Sequence, residues 1–197
     1  MEKLGFFDGI EEKRRKICEA AVKLFTEKKY DKTTVAEIAK EAKVGKGTFY
    51  LYFNSKSDLL NFLLRHGIEK LIVYVKNEIE SELDPVNKLK KAMSAQLCFF
   101  NRYRDYFAFL ISELWSYRKC LQNEVKSIQD RYIVIFEEIM KDGIEKGVYK
   151  DINTSTMSSG IFGMLSLSFL YSPEKDISII IEDVHEVLIS GLSKKGE

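Results

Sequence analysis

The chain has 197 residues, 45% of them hydrophobic, and its 31 Lys and Arg nearly balance its 30 Asp and Glu. A chain this long can bury roughly 70% of its unfolded surface without covalent or metal staples, and its hydrophobic content with a net charge of +1 excludes intrinsic disorder. Three scattered cysteines (Cys18, Cys98, Cys120) without a CxxC spacing exclude a disulfide framework and a zinc site. No apolar signal stretch opens the chain and no run reaches the ~20 apolar residues of a membrane span, so a cytoplasmic protein with no membrane partner is expected.

Apolar residues recur at helical period almost everywhere, and no segment alternates at period two. The expectation is an all-α protein of about nine helices, at residues 11–28, 34–42, 46–53, 56–82, 85–102, 105–118, 120–146, 154–171 and 176–192. In the first, Ile17, Ala20, Ala21, Leu24 and Phe25 make one apolar stripe. Thr34-Val-Ala-Glu37 fits a capping box, and Ser55-Lys-Ser-Asp58 repeats the arrangement at the next long helix. Asp84-Pro85 starts another helix, since proline in the first turn forfeits no needed donor. Asn153 or Thr154 caps the eighth.

The first three helices are short and tightly joined, whereas those after Ser57 are long. The division expected is a compact N-terminal unit at 1–56 and a helical body at 57–197. Residues 1–56 carry 13 basic and 9 acidic side chains, a net +4, against 18 and 21 in the remainder, a net −3. A basic head on an acidic body concentrates attraction to a polyanion at one end. Residues 34–53 read TVAEIAKEAKVGKGTFYLYF. Ile38, Ala39 and Ala42 give one short helix an apolar face, and Phe49 and Phe53 anchor the next. Lys46, Gly47, Thr48, Tyr50 and Tyr52 then point elsewhere, as small, hydroxylated and basic side chains suited to a major groove. Two short helices joined by a tight turn make a helix-turn-helix, with residues 46–53 as the recognition helix.

These residues resemble the TetR family of bacterial transcriptional repressors. The likeness runs from about Lys13 to Leu64, through Ala20-Ala21, Leu24-Phe25, Tyr30 to Val35, Ile38-Ala39, Val44, Lys46 to Tyr50, Tyr52-Phe53, Lys56 and Leu59-Leu60; beyond residue 65 it is architectural only. The resemblance implies a DNA-binding set of Thr34, Lys43, Lys46, Gly47, Thr48, Tyr50, Tyr52 and Lys56, with Thr34 and Lys56 on backbone phosphates and Tyr52 where histidine is common. Lys43 stands where the family usually has glycine, and Gly45 where it has serine. Lys13, Arg14, Arg15 and Lys16 read either as an arm for a neighbouring minor groove or as a solvated helix start, and the lead-in from Gly5 to Gly9 is expected to be flexible.

The ninth helix is apolar on two sides, Ile177, Ile181, Val184 and Leu188 on one and Ile180, Val187 and Gly191 on the other. The eighth carries small residues at Ser159, Gly160, Gly163 and Ser166. A second stripe calls either for a partner helix or for a helix buried all round within one chain; the resemblance implies that these two helices pair with their symmetry mates, so a homodimer interface is expected at Gly160, Gly163, Ile177, Ile181, Val184 and Leu188. The body is rich in aromatics. Core packing accounts for most of them; beside it, an effector pocket is expected at Gln96, Phe99, Phe100, Tyr103, Phe107, Trp115, Tyr132 and Phe136, and the resemblance implies a lipophilic small molecule as ligand.

The expected function is a ligand-responsive repressor that binds a double-stranded palindromic operator as a homodimer, with no enzymatic activity and no cofactor. Two other readings stand beside it. Glu182-x-x-His185 has the spacing of a di-iron helical bundle, but such a site needs two of these motifs, which leaves a helical metalloenzyme weakly supported. A helical adaptor that binds no DNA is the other.

Overall fold

A computed structural model of the chain describes residues 6–115, 122–172 and 176–192. Among these residues there are nine helices and no strand: α1 (Glu12–Lys28), α2 (Val35–Glu41), α3 (Lys46–Tyr52), α4 (Lys56–Ile79), α5 (Pro85–Arg102), α6 (Arg104–Trp115), α7 (Gln122–Glu145), α8 (Thr154–Tyr171) and α9 (Ile177–Leu192). None is long and apolar enough to cross a membrane. They form two compact units, Met1–His66 with Tyr103–Val125, and Gly67–Arg102 with Lys126–Glu197. The first unit therefore takes in more than residues 1–56, gaining the start of α4 and the whole of α6.

In the first unit α1 packs on α2, α3 and α6. Its stripe of Ile17, Ala21, Leu24 and Phe25 is buried together with Ile38 of α2, Phe49 of α3 and Phe53. Burial of each such large side chain contributes about 1.5–3 kcal/mol, so two seven-residue helices that would be marginal alone are held by the core. The Phe25 ring lies 5.2 Å from that of Phe109, and the Tyr106 hydroxyl donates to the Leu63 carbonyl. These contacts are why α6 belongs here.

Of the lead-in expected to be flexible, Gly5 lies outside the described residues, while Phe6 and Phe7 pack against the first unit. Phe7 is buried, the Phe6 ring centroid lies 4.2 Å from that of Tyr106, and His66 Nε2 lies 3.0 Å from the Phe6 carbonyl oxygen. Two adjacent phenylalanines bury enough apolar area to offset the entropy of ordering a few residues.

In the second unit α5 packs on α8 and α9, and α8 on α9. The buried residues Leu89, Met93, Leu97, Ile135, Ile139, Ile161 and Leu165 repeat at helical spacing. Gly143 on α7 faces the ring of Tyr149, which a Cβ there would strike, and the Tyr149 hydroxyl donates to the Pro85 carbonyl at 3.0 Å. Gly147, at φ 74°, takes the left-handed conformation that ends this helix.

Candidate nucleic-acid interface

The turn between α2 and α3 fixes how α3 leaves the head. The Val44 N–H donates to the Ala39 carbonyl at 2.9 Å and the Lys43 N–H to Lys40 at 3.1 Å. This is the Schellman pattern, and it places Lys43 in the left-handed region at φ 55°. The backbone thus turns as it would with glycine at this position, and a lysine adopts it.

The start of α2 is a complete capping box. The Thr34 hydroxyl accepts from the Glu37 N–H at 3.2 Å, and the Glu37 carboxylate accepts from the Thr34 N–H at 2.8 Å. Lys28 Nζ also reaches Glu37 at 3.0 Å. That ammonium, followed by the Thr34 N–H, pulls the carboxyl down to about 2.

Phe49 alone anchors α3; Lys46, Gly47 and Tyr50 are exposed, Tyr50 by 48%, while Thr48 and Tyr52 are half-buried. A Cβ at Gly47 would meet nothing within 4 Å. Leu51 was not among the expected site residues, yet it is 81% exposed. It sits about 200° round the helix from Phe49, at 100° per residue, beside Gly47 one turn earlier. Its position opposite the buried anchor is the signal that could have found it.

Two of the expected contacts already have partners. Lys56 Nζ donates to the carbonyls of Tyr30 at 2.8 Å and Thr33 at 2.7 Å, and lies 4.2 Å from the centre of the Tyr30 ring. It thereby clasps the loop before α2 to the start of α4. The Tyr52 hydroxyl donates to Glu11, the residue that caps α1, which lowers the carboxyl and raises the phenol. Of the basic run at 13–16, the Arg14 guanidinium lies 4.1 Å from the centre of the Phe62 ring, Arg15 pairs with Glu19 and Lys16 with Glu12. Those contacts favour a helix start over a free arm.

The expected pocket residues divide between the units. Tyr103 and Phe107 belong to the first, where the Phe6 ring lies 4.7 Å from Tyr103 and 6.1 Å from Phe107. Gln96, Phe99, Phe100, Tyr132 and Phe136 are buried in the second. There Tyr132 donates to Gln96 Oε1 at 2.8 Å, and its ring lies 5.7 Å from both Phe136 and Phe162. Phe162 and Phe169 of α8, with the Phe169 ring 5.3 Å from Phe100, complete this aromatic layer and were not foreseen. The Trp115 side chain lies outside the described residues.

The expected dimer face also separates. Ile181 and Leu188 are 7% and 5% exposed, buried by their own chain, because α9 turns this stripe onto α5 and α8. Ile177, Val184 and Gly163 are half-buried and Gly160 is exposed. The open apolar positions are Val187 and Ile179 on α9 and Met164 and Tyr171 on α8. Gly160, Met164, Leu167 and Tyr171 fall on one face of α8, at steps of four, three and four. Glu182 is spent on Lys90 at 2.7 Å, and among the described residues no group of three or more His, Cys, Asp or Glu could hold a metal.

Two family models match the chain: the bacterial regulatory proteins of the tetR family over residues 17–62, and the tetracyclin repressor-like C-terminal domain over residues 82–170. The Bacillus subtilis (strain 168) fatty acid metabolism regulator protein is 27% identical over 188 residues, covering 93% of this chain and 97% of the relative. A solved Clostridium perfringens structure, described as a fatty acid metabolism regulator, is 31% identical, with a TM-score of 0.78 over 91% of this chain and all of the other. The Bacillus subtilis regulator FadR, solved in complex with stearoyl-CoA, is 25% identical, with a TM-score of 0.81 over 90% of this chain and 98% of its own.

Proposed function

The chain belongs to the tetR family of bacterial regulatory proteins, and from that premise we propose that it is a homodimeric repressor, bound to a palindromic operator and released from it by a long-chain fatty acyl-CoA. It is a regulator of transcription and not an enzyme, as its relatives are. The observation that carries the DNA reading is the outward face of α3, where Lys46, Gly47, Tyr50 and Leu51 stand clear of the core. In a major groove, Lys46 supplies charge to phosphate or guanine, Tyr50 a hydroxyl, and Leu51 an apolar contact for a thymine methyl. Gly47 lets the backbone come close. Thr34 and Lys43 flank this face, while Lys56 and Tyr52 hold the loop and helix start that border it.

A two-fold pair of heads meets half-sites about 34–36 Å apart, so binding needs the dimer. The open residues Met164 and Tyr171 of α8 and Val187 of α9 are the surface for it. The ligand class follows from the likeness to a regulator solved with stearoyl-CoA and from the aromatic layer of the second unit. Release then follows from a ligand that binds better to the conformation in which the heads no longer match the operator.

The test is operator affinity of the purified protein with and without stearoyl-CoA. Operator DNA is first selected from a random pool, and its palindromy is read directly. Stearoyl-CoA is expected to weaken binding at least tenfold, a coupling of ~1.4 kcal/mol. Gly47→Ala is expected to leave the fold intact, since its Cβ faces open space, yet to weaken operator binding by crowding the groove. Wild-type operator affinity in Gly47→Ala would refute the docking, and unchanged affinity with stearoyl-CoA bound would refute release.

A further inference from the structure

The core of the second unit holds polar groups that the described residues leave without partners. Gln96 on α5 is wholly buried, and its Nε2 finds no hydrogen-bond partner among the described residues. Ser158 and Ser166 on α8 are equally buried, and neither hydroxyl makes the bond to the carbonyl one turn earlier that a helical serine can make. The serines share one buried stripe of α8 with Phe162 and Phe169. The Phe162 ring meets Tyr132, the partner of Gln96, and the Phe169 ring meets Phe100, one turn along from Gln96. A folded core pairs nearly all its buried donors, so a core with three unpaired groups calls for a partner from outside the chain.

The glutamine is also oriented. Tyr132, fully buried and kept protonated because burial raises its phenol far above the ordinary range, donates to Oε1 at 2.8 Å. With that oxygen accepting, the two N–H bonds of Nε2 remain buried donors without an acceptor among the described residues. The matching guest is an apolar chain carrying one hydrogen-bond acceptor.

We infer that Gln96 Nε2 donates to the thioester carbonyl of a fatty acyl-CoA whose chain lies among Phe100, Phe162 and Phe169, with Tyr132 as the positioning residue that aims the amide. The inference rests on the acyl-CoA reading above and adds which atom of the ligand is recognised and by what.

The test compares two probes on the full-length protein by calorimetric titration. Stearoyl-CoA has the carbonyl; S-octadecyl-CoA, a thioether of equal chain length, has a methylene in its place. Wild-type protein is expected to prefer the thioester by about fivefold to tenfold, the worth of one neutral hydrogen bond. In Gln96→Leu the preference falls to within about twofold. Tyr132→Phe reduces it too while keeping the ring, an effect that lost packing would not produce. Should Gln96→Leu fold poorly because it strands the Tyr132 hydroxyl, the double replacement Gln96→Leu with Tyr132→Phe removes donor and acceptor together and is expected to fold and to show no preference. Equal binding of both probes by the wild type, or a preference retained without Gln96, overturns the carbonyl contact and leaves the acyl-CoA reading standing. A wild type that binds neither probe overturns both.

Discussion

Lys43 shows, at the scale of one residue, stability given up next to the face of α3 proposed to meet DNA. Its φ of 55° costs a residue with a Cβ about 1 kcal/mol relative to glycine, while its ammonium sits in the turn that leads into α3. Lys43→Gly is expected to raise the stability of the protein by at most about 0.5 kcal/mol, glycine's greater unfolded entropy offsetting most of the strain relieved. Urea denaturation measures the gain. The same variant is expected to weaken operator binding evenly across sequences and to reduce the salt slope by about 1, as loss of a phosphate contact does. Greater stability with an unchanged salt slope would make Lys43 a bystander to the DNA. A tight turn was legible in the sequence because the apolar pattern breaks between two short helices and resumes at once, but its left-handed residue was not, since a lysine stands there. The role of Lys56 was not: its two carbonyl partners lie 26 and 23 residues earlier in the chain, and no local pattern announces a contact of that range.

At the scale of an element, α2 is held at its start by a charged side chain. It is seven residues long, too short to persist alone, and its first turn is held through Glu37. That carboxyl, ordinarily at 4.5, is held at about 2 by Lys28 and by the Thr34 N–H. A depressed carboxyl stabilises the fold in its ionised form. The contribution is therefore full above pH 4.5, declines as the pH falls, and is gone below about 2. Urea midpoints measured through this interval are expected to fall, and less steeply in Glu37→Gln; equal slopes would show that the carboxylate is not what steadies α2. This box was visible in Thr34 and Glu37 alone, since helix starts are written in side chains three residues apart. The helices were legible throughout for the same local reason. The order of Phe6 and Phe7 was not, because it comes from rings on α4 and α6 that the chain reaches only after folding. The relation of the body to known regulators was legible only as architecture, in the number and length of its helices, since packing can be kept while the residues that provide it change; the family match over residues 82–170 supplies the likeness in sequence.

For the whole molecule, the question is what α8 and α9 present once their own chain has packed. The sequence reading put two apolar stripes on α9, but periodicity cannot say which positions the protomer keeps, and Ile180 of the second stripe is buried with Ile181 and Leu188 of the first. The protomer leaves Val187 open at 66% and, on α8, Met164 at 37% and Tyr171 at 76%. Tyr171 in particular is a large ring that a lone protomer gains nothing by exposing, and a helix pair that buries it against a second copy recovers that apolar area. If this face makes the proposed dimer, Val187→Lys with Met164→Lys places charges at positions that water reaches in the protomer and a partner covers in the pair. The protomer should then fold as before, while the dimer meets the cost of two desolvated ammonium groups on each side. Sedimentation is expected to show monomers with unchanged helicity. Operator affinity should fall by roughly 100-fold or more, because the second head no longer binds at the high effective concentration that the first one confers. A double variant that stays dimeric would place the interface elsewhere on the chain. One that turns monomeric yet holds the operator at wild-type affinity would mean that a single head suffices, and the palindrome would lose its physical reason.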